Sequence, residues 1–223
     1  MKFEEFGVGT EFKPTTLISG KKLFQVGTSC GTFNTRVKDS KLAFKGTAEG
    51  KIHIDLEGET YVKRHITVPP KKQLVLSYKS LDSKSVIDDI VHVSAGAKLV
   101  YDGRFKSDLH GFNGSVHIVH KEPEAKSEVN VKGVVRKEAT LLTTGEVLPG
   151  SDGSEVSVNS LVVVFGDGKV RAVPELLIKN PATKSYHSFK KIYMSPEQIF
   201  YMQSRGFEKE NIEKLYERLI IGD

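Results

Sequence analysis

Residues 127–135 read SEVNVKGVV, and residues 154–164 read SEVSVNSLVVV. Both open Ser-Glu-Val-x-Val, 27 residues apart, and both run on into further apolar residues after a polar pair. A period of roughly 20 to 50 residues is the mark of a solenoid, in which each coil covers the apolar face of its neighbour. A β-sandwich satisfies the same spacing of turns, so the repeat by itself leaves both folds open.

Outward from the repeat, the same texture continues. KLAFKG (41–46), KIHIDLEG (51–58), QLVLSY (73–78), DIVHVSAG (89–96), KLVYDG (98–103), SVHIVH (115–120) and PELLIKN (174–180) are short strand-like runs. Lys51-Ile52-His53-Ile54-Asp55-Leu56 alternates polar and apolar, the period of a half-buried strand. Gly, Asp, Asn and Pro separate the runs, and no long helical pattern interrupts them before about residue 194. The body up to that point is expected to be all-β.

Composition narrows the function classes. A chain of 223 residues fits one or two domains, with 38% hydrophobic and 27% charged residues, an ordinary soluble balance. No apolar run approaches the roughly 20 residues of a membrane helix. The N-terminal MKFEEFGVGT carries acidic residues where a secretion signal needs a basic start and an apolar block, so a cytoplasmic location is expected. Cys30 stands alone, which rules out an internal disulfide and a compact cysteine-based metal site and agrees with a reducing compartment. The net charge is +5, yet the last 33 residues hold five basic and six acidic residues, so the excess lies in the β-rich part. There it is scattered in pairs such as Lys21-Lys22, Lys71-Lys72 and Lys190-Lys191, with carboxylates between them. A dense basic stripe with interleaved aromatics is missing, so solvated sheet faces are expected rather than a nucleic-acid surface. No glycine-rich loop leads into Lys-Ser/Thr, so this chain is not expected to bind nucleotide.

The end of the chain changes character. Ser195-Pro196-Glu197-Gln198 reads as a helix start: Ser195 as cap, Pro196 at the first helical position, Gln198 completing a capping box. Gly206 suits the left-handed stop. Between them Ile199, Phe200, Tyr201 and Met202 are consecutive, and at 100° per residue one packing surface cannot cover all four. A second helix follows, with Ile212, Leu215, Tyr216, Leu219 and Ile220 at amphipathic spacing. The pair reads either as a cap on the end of a solenoid or as a cap that also docks another protein.

SPEQIFYMQSRGF (195–207) resembles the C-terminal signature of the SufB/SufD family, the scaffold components of the SUF iron–sulfur cluster assembly system. Glu197, Gln198, Ile199, Phe200 and Tyr201 match, as do Ser204, Arg205 and Gly206. Upstream, Pro174, Leu176, Ile178 and His187 in VPELLIKNPATKSYHS are similar to the family's run into a histidine, and VNVKGVV resembles the strand before it. The resemblance implies a right-handed parallel β-helix over 1–194 followed by a helical, ATPase-docking region over 195–223. It implies a SufC-like ABC-type ATPase as partner, and pairing with a SufB-like subunit or a second copy. It also implies a transient iron–sulfur cluster, with His187 as a candidate ligand. Phe200, Tyr201 and Arg205 are the implied partner contacts, with Ile199 and Met202 turned inward.

The departures are specific. The place of the sulfur-accepting cysteine of SufB-type scaffolds falls at about Val158, and Ser188 follows the histidine where SufB-type sequences have Glu. Both bring the chain nearer SufD. Family members usually begin with an N-terminal helical region, whereas this chain enters β-like sequence almost at once, as a short form. A neutral imidazole is a competent iron ligand, although a lone histidine in a turn is more often simply hydrogen-bonded. Cys30, in GTSCGTFN, reads as a buried structural thiol or an accessible ligand. His117 and His120, three apart in a strand, point to opposite faces. Parallel β-helices also serve as carbohydrate enzymes that use carboxylate clusters. Here Asp88-Asp89 and Asp55, Glu57 and Glu59 are the only candidates, and a solvated face explains them better. The chain is not expected to be an enzyme.

Overall fold

Along Lys84–Val93 every second residue is buried: Ser85, Ile87, Asp89, Val91 and Val93. This is a strand with one face on a core. The alternation recurs through Gln73–Leu81, Lys98–Ser107 and Glu138–Val147. The computed structural model describes residues 15–19, 22–81 and 83–222, with side chains from 27 onward. The acidic N-terminal stretch read above and Lys21 lie outside the described residues.

The strands are β1 (Thr15–Ser19), β2 (Lys22–Lys38), β3 (Lys41–Glu57), β4 (Glu59–Val68), β5 (Gln73–Leu81), β6 (Lys84–Val93) and β7 (Lys98–Ser107). They continue as β8 (Phe112–His120), β9 (Lys126–Val135), β10 (Glu138–Val147), β11 (Glu155–Phe165), β12 (Lys169–Ile178) and β13 (Lys184–Met194). Two helices follow, α1 (Pro196–Ser204) and α2 (Lys209–Ile221). Every strand pairing among the described residues is parallel. That excludes the antiparallel sandwich and makes the fold a β-solenoid.

Two sheets share β3. Its first part pairs with β4, leading to β6, β8, β10 and β12; its second part pairs with β5, leading to β7, β9, β11 and β13. β2 and β3 run unbroken through the bend between sheets, where Gly27 lies over Gly46 and Gly31 over Gly50. A Cβ on Gly46 would come 1.8 Å from the Gly27 carbonyl oxygen, and Gly50 has φ +95°, so side chains are excluded from this corner.

The register corrects the sequence repeat. Val129 pairs with Val158, not Val156, so the coils containing the two SEV segments are offset by 29 residues rather than 27. A slip of two leaves every side chain on the same face, which is why pattern alone did not reveal it.

Between the sheets the core is largely aliphatic, with Phe105 and Phe112 stacked at 4.2 Å within it. Inside it, Arg64 donates from Nε and Nη2 to Asp89 at 2.8 and 2.6 Å, and Tyr101 donates its hydroxyl to the same carboxylate. All three side chains are buried.

The helices are not where a terminal cap was expected. They lie along the outer face of the second sheet, where Val134, Val163, Phe165 and Met194 form a separate apolar cluster with Ile212, Ile220 and Ile221. The reason is legible in β11: Val162, Val163, Val164 and Phe165 are consecutive and all buried, so both faces of that strand need cover. The apolar residues at amphipathic spacing on α2 divide. Ile212, Tyr216 and Ile220 face the sheet, but Leu215 and Leu219 are exposed. No helix among the described residues is long and apolar enough to cross a membrane.

Candidate functional site

With the helices at the side, the last coil is open. Among the described residues β12 and β13 end their sheets, so each leaves one edge of backbone N–H and C=O groups unpaired by a further strand. Val170, Ala172, Leu176 and Ile178 of β12 and Phe189 of β13 pack on the core but remain partly accessible. His187 lies over Val158, which lies over Val129 and Tyr101. Those three are buried, whereas His187, the next residue of the same interior column, is exposed. The residue equated with the sulfur-accepting cysteine and the candidate ligand histidine are therefore immediate neighbours, and the former is a buried valine. Among the described residues no three His, Cys, Asp or Glu side chains converge as a metal site. His187 is one donor, and Val158 gives it no second, so among the described residues no set of cluster ligands gathers around it.

The other singled-out residues scatter. Cys30 is exposed on β2, at the far end of the solenoid, and its Sγ lies 3.1 Å from Glu49 Oε1. That hydrogen bond and the carboxylate charge push its thiol up, the opposite of nucleophile activation. His117 lies on the outer face against Glu146 at 3.1 Å; His120 is buried against Ser127 at 2.9 Å. Asp88 pairs outward with Lys63 at 2.8 Å while Asp89 is in the core with Arg64, so the two do not form a carboxylate pair. Asp55, Glu57 and Glu59 are engaged with His53, Arg36 and Lys84. The lysines meet carboxylates rung to rung, as where Lys126 and Lys184 both reach Glu155.

At the C-terminal region the local signals act as their chemistry dictates. The Gln198 N–H donates to Ser195 Oγ at 3.3 Å, and the Ser195 N–H donates to Gln198 Oε1 at 3.0 Å, closing the capping box. Gly206 takes φ +89° after the helix. Ile199 and Met202 pack toward the sheet, whereas Phe200 and Tyr201 are 72% and 59% exposed. Arg205 Nη2 donates to the Tyr201 hydroxyl at 3.1 Å, and its guanidinium lies 5.3 Å from that ring, so the two are already arranged as a pair. A groove of about 400 Å³ beside them is lined by Ile192, Glu197, Tyr201, Met202 and Tyr216. Phe207, Leu215 and Leu219 add exposed apolar surface to the helical region.

What the sequence reading missed is the clamp under α2. Arg136, just after β9, reaches Asp108 at 2.6 Å and Glu213 and Glu217 at 2.7 Å each, with its guanidinium 4.9 Å from the Phe165 ring. Lys106 joins from β7 to Asp108 and Glu217, and Arg104 Nη1 donates to the Ile221 carbonyl at 2.9 Å. The available signal was Glu213 and Glu217, four apart on α2 and beside its apolar face.

The family model described as SUF system FeS cluster assembly, SufBD core domain, matches residues 100–218, just over half the chain. The match starts in β7 and ends in α2, so it takes in the open coil, both helices and the Arg136 clamp. The chain is also 26% identical over 190 residues to an iron–sulfur cluster assembly SufBD family protein of Mycobacterium leprae (strain TN). That similarity covers 77% of this chain and 44% of the relative, so the chain spans less than half of the relative's length. The parallel solenoid, the histidine column and the helical end thus have one common account: the chain belongs to the SufB/SufD family of the SUF iron–sulfur cluster assembly system.

Proposed function

We propose that the chain is a non-catalytic, cytoplasmic scaffold subunit of cluster assembly, nearer the SufD type. In this reading it joins a second β-solenoid, SufB-like or its own copy, through the open β12/β13 coil. It holds a SufC-type ATPase on the exposed side of α1 and α2. The observation that carries the reading is the division of α1: Ile199 and Met202 bind the helix to the sheet, while Phe200 and Tyr201, with Arg205, remain free for a partner. An aromatic pair beside an arginine is the composition of an interface anchor. The cluster is cargo. His187 offers it one imidazole at the coil that would meet the second subunit, which would supply the remaining ligands.

The test uses the whole chain, because truncating the helices would strip Val134, Val163 and Phe165 of cover and confound binding with folding. Phe200→Ala with Arg205→Glu should keep the β-sheet circular dichroism and weaken ATPase binding by at least about tenfold. Full binding by this variant would leave the helices as sheet cover only. Leu176→Asp with Phe189→Asp should shift the sedimenting species to monomer; an unchanged assembly would remove the open coil as the joint. A purely structural subunit that binds no cluster is the second reading, favoured by Val158 beside His187. Unchanged cluster occupancy in an assembled complex carrying His187→Ala would select it.

A further inference from the structure

The outer face of the first sheet, away from the helices, carries a histidine pair that the cluster-assembly reading does not use. His65 is on β4 and His92 on β6. The register sets His65 opposite Ile90 and His92 opposite Thr67, so the two histidines are diagonal neighbours on adjacent rungs. Both are half-buried. Their Nε2 atoms are 2.9 Å apart, with ring centroids 5.0 Å apart and planes inclined by 50°.

Two imidazole nitrogens at that separation share one proton. A metal ion can take its place. With nitrogen–metal bonds of about 2.0–2.1 Å, the observed spacing subtends about 90° at the ion, the cis angle of octahedral or tetragonal coordination. A tetrahedral ion needs the nitrogens about 3.3–3.4 Å apart with the same bonds. The rings must also tilt from head-to-head toward a common point, a motion their broad second side-chain torsion permits. Both ligands stand on adjacent strands of one parallel sheet, about 4.8 Å apart, so backbone register rather than a loop holds their spacing.

We propose that His65 and His92 form a two-imidazole site for a divalent transition-metal ion of borderline softness, bound cis through both Nε2 atoms and completed by water. Among the described residues no third His, Cys, Asp or Glu converges on the pair. Nearby His117 is engaged by Glu146. The bound ion is therefore solvent-facing and exchangeable. The Lys121 ammonium acts on His92 and opposes a further positive charge, so the site is weaker than a three-ligand one. It follows the order in which Cu²⁺ binds most tightly among the first-row divalent ions. This inference does not depend on the cluster-assembly reading, since it rests on a different sheet and different residues.

The test is titration of the full chain with Cu²⁺ alone, followed by calorimetry and electron paramagnetic resonance. One equivalent should bind with a spectrum showing two nitrogen ligands. His65→Ala and His92→Ala should each lower the affinity by at least about tenfold, while His110→Ala leaves it unchanged. Melting of each variant without metal reports its folding, and His65→Gln, which retains a hydrogen-bonding side chain, gives a second comparison if the alanine variant is unstable. Undiminished binding in the His65 and His92 variants, loss on changing His110 instead, or no binding to the unaltered chain would each overturn the site.

Discussion

Val158 and His187 stand in register on neighbouring strands, yet one is fully buried and the other exposed. The same contrast runs through their coils. On β11 the inward positions Val156, Val158 and Val162 are covered, whereas on β13 the corresponding Ser185 and His187 are open and Lys191 is only partly covered. An interior position in a solenoid is made interior by the next coil, not by its own strand. The middle coils can therefore hold a buried ion pair between Arg64 and Asp89, while the last coil exposes the residues with which the chain can meet something else.

Four measurements sharpen or break this contrast. The largest effect is expected for Asp89→Ala, which leaves Arg64 buried without its carboxylate and should cost about 3–5 kcal/mol in urea unfolding. A loss below about 1 kcal/mol would mean that water reaches Arg64 and the interior is not closed.

Next comes His120, buried at the end of β8, whose burial holds its imidazole at about 4 against an ordinary 6.5. A folded value below the unfolded one favours the neutral ring in the folded state. Its contribution is complete above about pH 6.5 and is lost as pH falls toward 4, amounting to about 3 kcal/mol. Urea unfolding at pH 7 and pH 4.5 should show this loss, and His120→Gln should remove its share of the pH dependence. An identical pH profile in that variant would show the site to be hydrated.

Arg136→Ala tests the region between the two extremes, where a helix rather than a coil supplies cover. It should cost about 1–2 kcal/mol and speed amide exchange in α2 with the strands still protected. Uniform exchange across the chain would mean that the helices and the solenoid unfold as one unit.

The smallest effect is expected for His187→Ala, within about 0.5 kcal/mol of the unaltered stability. A large loss would show the last coil to be closed in solution by its own chain.

Parts of the architecture were legible because they are local. Alternation along Gln73–Leu81 or Lys98–Ser107 names the buried face directly. Ser195, Pro196, Gln198 and Gly206 mark the ends of α1 because each satisfies or terminates backbone groups within a few residues. The helix positions were misread for a different reason. The run Val162–Phe165 states that both faces of β11 are covered, but not by what, and the cover is α2, whose Glu213 and Glu217 are clamped by Arg136 of the solenoid. The candidate site divides in the same way. The matching residues of α1, with Ile199 and Met202 inward, and His187 could be picked from the chain, but the exposure of His187 could not, since it depends on which neighbour is missing.

The sequence by itself determined the strand periodicity, the capped helix, the valine at position 158 and the family whose signature the chain carries. Tertiary structure alone decided the 29-residue offset between coils, the lateral seat of the helices and the open last coil. Register in a parallel solenoid is set by ladder hydrogen bonds between strands joined through intervening turns and a second sheet. A shift of two residues leaves the local pattern of faces intact, so only the assembled ladder selects which residues meet.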